Sequence, residues 1–299
     1  LRAFFKKRCF LAFLMLPVIL GLSGPHLLAE ERGLLADYPP AGIILFARNI
    51  KEPAQLADFI TSLREVVPGV KLVVDQEGGR VARLRPPHWP VLPAAGTLGS
   101  AEAAYEHGLA LGSTCKAAGF DVVTAPVLDV SVPGADLVIG DRAISGDART
   151  VAALGGKIAE GILAAGCIPV MKHAPGHGRA MVDSHKSLPR VAATDLSDDF
   201  YPFSQNAHLP WAMTAHIVYE ALDPENPATL SRIVIRDVIR RRIGFAGTLI
   251  SDDLAMHALT GAPEVRALAA LAAGCDVALY CTGVFAENAA ILRALQNHG

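Results

Sequence analysis

The chain has 299 residues, of which 52% are apolar and only 19% charged, and its formal net charge is -2. That content suffices for a large buried core and excludes global disorder, and the lack of a basic excess speaks against nucleic-acid binding or charge-driven attachment to a membrane. One domain of about 250 residues is the usual size of a closed α/β barrel.

At the start, Arg2, Lys6, Lys7 and Arg8 precede an apolar run from Cys9 to Leu22 that closes on Gly21-Leu22-Ser23-Gly24. The pattern imitates a secretory signal, and the run is too short for a membrane span. In the rival reading Met15 is the start, residues 1–14 are an upstream extension, and 17–22 form the first core strand. We adopt the strand, which places a barrel domain at 15–299.

Further along, short runs rich in Val, Ile and Leu recur at 42–46, 71–75, 121–130, 167–173, 211–217, 248–251 and 275–281. With 17–22 they make eight strands. Their continuous apolar character suits parallel strands covered on both faces. Stretches of helical periodicity lie between them at 55–67, 102–118, 149–165, 231–243 and 263–273, with a short last helix at 285–296. Gly119, Gly166, Gly244 and Gly274 stand where four of these helices must stop. The alternation predicts an α/β fold, a single (β/α)8 TIM barrel. An open doubly wound sheet is the competitor, and it would more naturally carry a G-x-G-x-x-G after the first strand.

Reacting groups in such barrels stand at the C-terminal strand ends. Here those ends read Asp75-Gln76-Glu77-Gly78-Gly79-Arg80, Asp129, Lys172-His173, His216 and Ser251-Asp252-Asp253. Five consecutive strands thus deliver ionisable groups to one rim. Of the aspartate pair, Asp253 is read as a helix N-cap and Asp252 as the functional carboxylate, since it is nearer the barrel axis. In the loop after strand five, Asp183 and His185 are two apart, close enough for the carboxylate to orient the imidazole for proton transfer. Asp75 with Arg80 and Arg83, and Asp141 with Arg142, read either as groups that bind sugar hydroxyls and acyl oxygens or as plain ion pairs. His216 reads equally well as a structural histidine.

No metal or cofactor is expected. Pro175 and Gly176 keep His173 and His177 off one helical face, and the position after the first strand lacks an H-x-H pair. No G-x-S-x-G elbow supports a serine hydrolase. The five cysteines, Cys9, Cys115, Cys167, Cys275 and Cys281, form no C-x-x-C pair and read as buried free thiols of a reducing, cytoplasmic protein.

Several segments carry a resemblance. They are 42–49, Asp75-Gln76-Glu77-Gly78-Gly79-Arg80-Val81, 125–130, Ile139-Gly140-Asp141-Arg142, Lys172-His173 with Pro175-Gly176-His177-Gly178, Asp183-Ser184-His185, and Ser251-Asp252-Asp253-Leu254-Ala255-Met256. In this order they resemble glycoside hydrolase family 3, specifically its single-domain bacterial β-N-acetylhexosaminidases of the NagZ type. The resemblance runs over about 18–283. It implies a retaining glycosidase with Asp252 as nucleophile and His185, oriented by Asp183, as acid/base. It further implies that Asp75, Arg83, Arg142, Lys172 and His173 bind a terminal β-linked N-acetylglucosamine (GlcNAc). The implied substrate is a small carbohydrate or muropeptide, GlcNAc-anhydroMurNAc from cell-wall turnover. The protein is expected to act as a monomer, with no nucleic-acid or membrane partner. Two stretches depart from the family pattern: many relatives carry Phe at Ala174 and Gly-Asp-Thr at Gly178-Arg179-Ala180. Phosphorolysis, a metal-dependent barrel hydrolase and a non-catalytic sugar binder remain as competing functions.

Overall fold

The computed structural model describes residues 15–184 and 187–298. The reading of residues 1–14 as an extension therefore falls outside the described residues, as does His185.

Eight parallel strands close into a barrel. They are β1 (Leu16–Gly21), β2 (Pro40–Leu45), β3 (Lys71–Val74), β4 (Val122–Val123), β5 (Ile168–Ala174), β6 (Trp211–Thr214), β7 (Thr248–Asp253) and β8 (Val277–Tyr280). Closure is made by β1 on β8, with Val18 opposite Ala278 and Leu20 opposite Tyr280. Each predicted strand is present. The run Leu16–Gly21 is a barrel stave with five of its six residues buried, so cleavage at Gly21–Gly24 would remove a wall of the core. The fourth strand is shorter than the apolar run 121–130, because Pro126 has no N–H to give to a ladder. Past Val123 the pairing continues through separate hydrogen bonds, Thr124 N–H to the Val74 carbonyl and Val170 N–H to the Ala125 carbonyl, and through an isolated bridge, Val127 to Lys172.

Helices α1 (Ala29–Asp37), α2 (Pro53–Val66), α3 (Ala101–Ala117), α4 (Ala148–Ala164), α5 (Ser197–Gln205), α6 (Pro263–Ala273) and α7 (Phe285–His298) pack outside the strands. The four predicted stop glycines all take positive φ, between 80° and 119°, which a side chain would resist. The segment Val234–Arg242 is π-helical rather than α-helical. Its buried residues Val234, Ile235, Val238 and Ile239 fit either period over so short a stretch. Helices α1 and α5 escaped the sequence pattern. The first buries only Leu34 and Leu35 besides Glu31, and the second carries Pro202 in its interior.

The strands bury both faces. One layer faces the helices. The other is a ring inside the barrel with one residue from each strand: Ile19, Ile44, Val73, Val122, Val170, Met213, Ile250 and Leu279. Side chains of a strand repeat their direction every second residue. Two positions beyond that ring, toward the C-terminal ends, stand Phe46, Asp75, Thr124, Lys172, Asp252 and Cys281. An apolar plug thus gives way, one layer up, to charged side chains. No described helix is long and apolar enough to cross a membrane.

Candidate active site

A cavity of about 480 Å³ opens above the plug, lined by Asp75, Glu77, Arg142, Lys172, His173, Asp183 and Asp252 among others. Most of the candidate site residues read from the sequence are therefore brought into one space.

Along the β3–β5 side runs a chain of alternating charge. Arg83 Nη2 meets Asp75 Oδ2 at 3.1 Å, and Lys172 Nζ lies 3.6 Å from Asp75 Oδ1. Lys172 Nζ also donates to Thr124 Oγ1 at 3.0 Å, whose hydroxyl donates to Asp75. On the other side Lys172 reaches Glu77 Oε1 at 2.5 Å, and Arg142 grips Glu77 through both oxygens at 2.8 and 2.9 Å. Burial would raise the Asp75 carboxyl, but Lys172, Arg83 and the Thr124 hydroxyl outweigh it and hold it well below the usual range. Glu77 is lowered in the same way against its burial, by Lys172 and Arg142. Burial would likewise make Arg142 easier to deprotonate, and Glu77 reverses that and raises it. Two loop pairs read from the sequence exchange partners. Arg80 pairs with Asp141 at 3.0 Å instead of Asp75, and Arg142 pairs with Glu77 instead of its neighbour Asp141. Arg80 further donates to the carbonyls of Leu137, Val138 and Ile139, and so holds the loop that carries Arg142.

Beneath His173 sits Asp129, fully buried. It accepts the His173 ring Nδ1–H at 2.7 Å, the His173 backbone N–H at 3.1 Å and the His177 N–H at 2.6 Å. Burial opposes its charge, yet His173 and these donors bring its pKa down to about 2. The imidazole is thereby fixed in one orientation. His177 packs edge-on against His173, and burial, reinforced by the charge on His173, pushes it down to about 4.

The end of β7 is built differently. Ile250 faces the barrel interior, so Asp252 does too. Its backbone N–H donates to Thr214 Oγ1 at 3.2 Å, and among the described residues its carboxylate receives one hydrogen bond, from the Asp253 N–H at 2.8 Å. Burial would raise its pKa, but the charges of His173 and His216 prevail and keep it below the ordinary carboxylate value. Asp253 also lines the cavity, but its carboxylate is committed to the backbone. Its Oδ1 accepts N–H donors from Ala255 and Cys281, each at 3.0 Å, which caps the following turn and ties β7 to β8. Burial pushes its pKa up to about 6, with the neighbouring Asp252 adding to it. His216 uses both ring nitrogens, one on Thr229 Oγ1 at 2.8 Å and one donating to the Asp253 carbonyl at 2.9 Å.

The loop after β5 brings Asp183 to the cavity. Its base is anchored: Tyr219 Oη donates to the Gly176 carbonyl at 2.6 Å, and Arg179 pairs with Asp199 at 2.7 Å. A Cβ on Gly178 would come within 1.7 Å of the Val130 carbonyl oxygen, so only glycine lets the two backbones meet there. Nearer the tip, Ser184 Oγ and His177 Nε2 are 3.3 Å apart in a hydrogen bond. The pairing of Asp183 with His185 involves a residue outside the described ones.

Glu77, Asp129, Thr124 and His177 were missed as site residues. Glu77 and Asp129 stand at strand ends picked out in the sequence, but nothing there marked Glu77 as the partner of Lys172 and Arg142. Cys115, Cys167, Cys275 and Cys281 are free and buried; Cys9 lies outside the described residues. Among the described residues no group of three or more His, Cys, Asp or Glu side chains is placed to hold a metal ion.

The model of the glycosyl hydrolase family 3 N-terminal domain matches residues 15–298. A β-hexosaminidase of Pseudomonas aeruginosa is 39% identical over 273 residues, which is 88% of this chain and 82% of that protein. The structure of NagZ from Neisseria gonorrhoeae in complex with N-trifluoroacetyl-D-glucosamine superposes with a TM-score of 0.83 at 31% identity, covering 94% of this chain and 90% of that one. A family 3 β-N-acetylglucosaminidase from a Paenibacillus species gives a TM-score of 0.89 at 34% identity, covering 95% of this chain and 56% of that longer chain.

Proposed function

The chain belongs to glycosyl hydrolase family 3 and is a glycosidase of its β-hexosaminidase group, and from that premise we propose a retaining hydrolase that removes terminal β-linked GlcNAc. The observation that carries the proposal is the contrast at β7: both aspartates line the cavity, but among the described residues the ionised Asp252 carboxylate has a single backbone donor, while Asp253 accepts two and caps a turn.

In the first step an Asp252 oxygen attacks the anomeric carbon as the glycosidic bond breaks, and the leaving oxygen takes a proton from His185. In the second, His185 removes a proton from water, which displaces Asp252 and releases the sugar with its β configuration retained. The oxocarbenium-like transition state needs an anion on one side and a proton donor on the other, at the roughly 5–5.5 Å separation of retaining enzymes. Asp183 is the group that orients His185. Asp75, Arg83, Arg142, Lys172 and His173 bind the hydroxyls and the N-acetyl group. Their positions are fixed in advance by ion pairs and by Asp129, so little ordering is left for the moment of binding. GlcNAc-anhydroMurNAc and its peptides, met by a monomer in the cytoplasm during peptidoglycan recycling, are the substrate class we assign.

The test is turnover of a chromogenic β-GlcNAc beside the matching β-glucoside, with the product anomer followed by NMR. The proposal requires a preference for the aminosugar and initial release of the β anomer. Equal turnover, or initial release of the α anomer, overturns it. Phosphate added to the same assay separates hydrolysis from phosphorolysis, since only the latter forms GlcNAc-1-phosphate.

A further inference from the structure

We propose that Glu77 is a positioning and specificity-determining residue: it sets Arg142 and Lys172 at fixed points on the sugar-binding wall and cancels enough of their charge that this wall accepts the uncharged GlcNAc ring and refuses small anions. The inference rests on the reading of that wall as the sugar-binding side.

Glu77 is built to hold cations. Its side chain is 6% exposed, and its oxygens already accept two hydrogen bonds from Arg142 and one from Lys172. A two-pronged grip on a guanidinium fixes the plane of that group, which a single contact would leave free to turn. Its own backbone is held in turn. The Glu77 N–H donates to the Val81 carbonyl at 2.9 Å, and a ring nitrogen of His107 is bonded to the Glu77 carbonyl at 3.1 Å. The next residue, Gly78, sits at φ +93°, and a Cβ there would come within 2.2 Å of the Pro93 carbonyl oxygen. The carboxylate is therefore carried on a rigid turn.

The charge follows from the same contacts. Arg83, Lys172 and Arg142 face Asp75 and Glu77 along the wall, three cations against two anions. Without Glu77, Lys172 would keep only Asp75 beside it, and Arg142 would lose the carboxylate it hydrogen-bonds and keep only the weaker pull of Asp129 and Asp75. A cluster of donors and positive charge inside a cavity is an oxyanion or phosphate site by its chemistry. Glu77 occupies the place such an anion would take.

Two variants separate position from charge. Glu77→Gln keeps the shape and removes the charge; Glu77→Asp keeps the charge and shortens the reach. Each is compared with wild type by kinetics on an aryl β-GlcNAc and by calorimetric titration with inorganic phosphate at constant ionic strength. Glu77→Gln should raise KM by about tenfold or more, with a smaller fall in kcat, and should bind phosphate at least about tenfold more tightly, as a competitive inhibitor. Glu77→Asp should raise KM as well, yet bind phosphate no better than wild type. Unchanged KM in both variants, or equal phosphate affinity in wild type and Glu77→Gln, overturns the proposal. The titration needs no turnover. A wild-type protein inactive on aryl β-GlcNAc would therefore defeat the proposed function while leaving the phosphate comparison decisive for Glu77.

Discussion

The two sides of the cavity follow opposite electrostatic plans. On the β3–β5 side the acids are fully engaged: Asp75 with Arg83, Lys172 and Thr124, Glu77 with Lys172 and Arg142, Asp129 with His173 and His177. At the end of β7, Asp252 is ionised and aimed inward, and among the described residues its carboxylate has one donor, a backbone N–H. Groups that hold a substrate gain from being fixed in advance. A group that must form a bond to carbon gains from having lone pairs uncommitted. Under the function we propose, the difference between the two sides is a division between binding and reaction.

The largest expected effect is at the open side. Asp252→Ala should lower kcat on an aryl β-GlcNAc on the order of 10⁴-fold while leaving the circular dichroism spectrum and Tm near wild type. Activity within tenfold of wild type would erase the distinction. His185→Ala sharpens it from the other direction. Glycosides with poor leaving groups should lose about 10²–10⁴-fold and good aryl leaving groups far less, because only the former need a proton. Equal losses would remove His185 from the acid role.

On the engaged side the expected penalty falls on stability. Asp129→Ala leaves three donors buried without their acceptor, one of them on the His173 ring. Denaturant unfolding should report a loss of about 3–5 kcal/mol. A loss below about 1 kcal/mol would mean that Asp129 is not what fixes that wall.

The smallest effect is a pH dependence. His177 is depressed to about 4 from an ordinary 6.5, so between those values the unfolded chain binds more protons than the folded one. Its contribution is complete above about pH 6.5 and is lost as pH falls toward 4, a change on the order of 3 kcal/mol. Asp253, raised to about 6 by burial, acts in the opposite sense. The measurement is therefore the difference between wild type and His177→Gln across that window. Two parallel stability curves would contradict the depressed value.

The barrel was legible because its signals are local. Apolar runs of strand length and glycines at helix ends depend on near neighbours, and all eight strands and all four stops are present. The candidate site was legible as a set of strand ends but not as a set of partners. Arg142 turns from its neighbour Asp141 to Glu77, 65 residues away, and no spacing encodes that pairing. The choice between Asp252 and Asp253 rests on which face of β7 looks inward. Residue types alone left that nearly even, while the inward placement of Ile250 gives it by period two. The π-helical turn at Val234–Arg242 was hidden because its buried positions fit two helical periods.

The central claim is that Asp252, and not its neighbour, forms the bond to the sugar. A mechanism-based fluorosugar that traps the glycosyl-enzyme, followed by peptide mass spectrometry, tests it directly. The account predicts one label, on Asp252. A label on Asp253, or on any carboxylate of the β3–β5 wall, would contradict it.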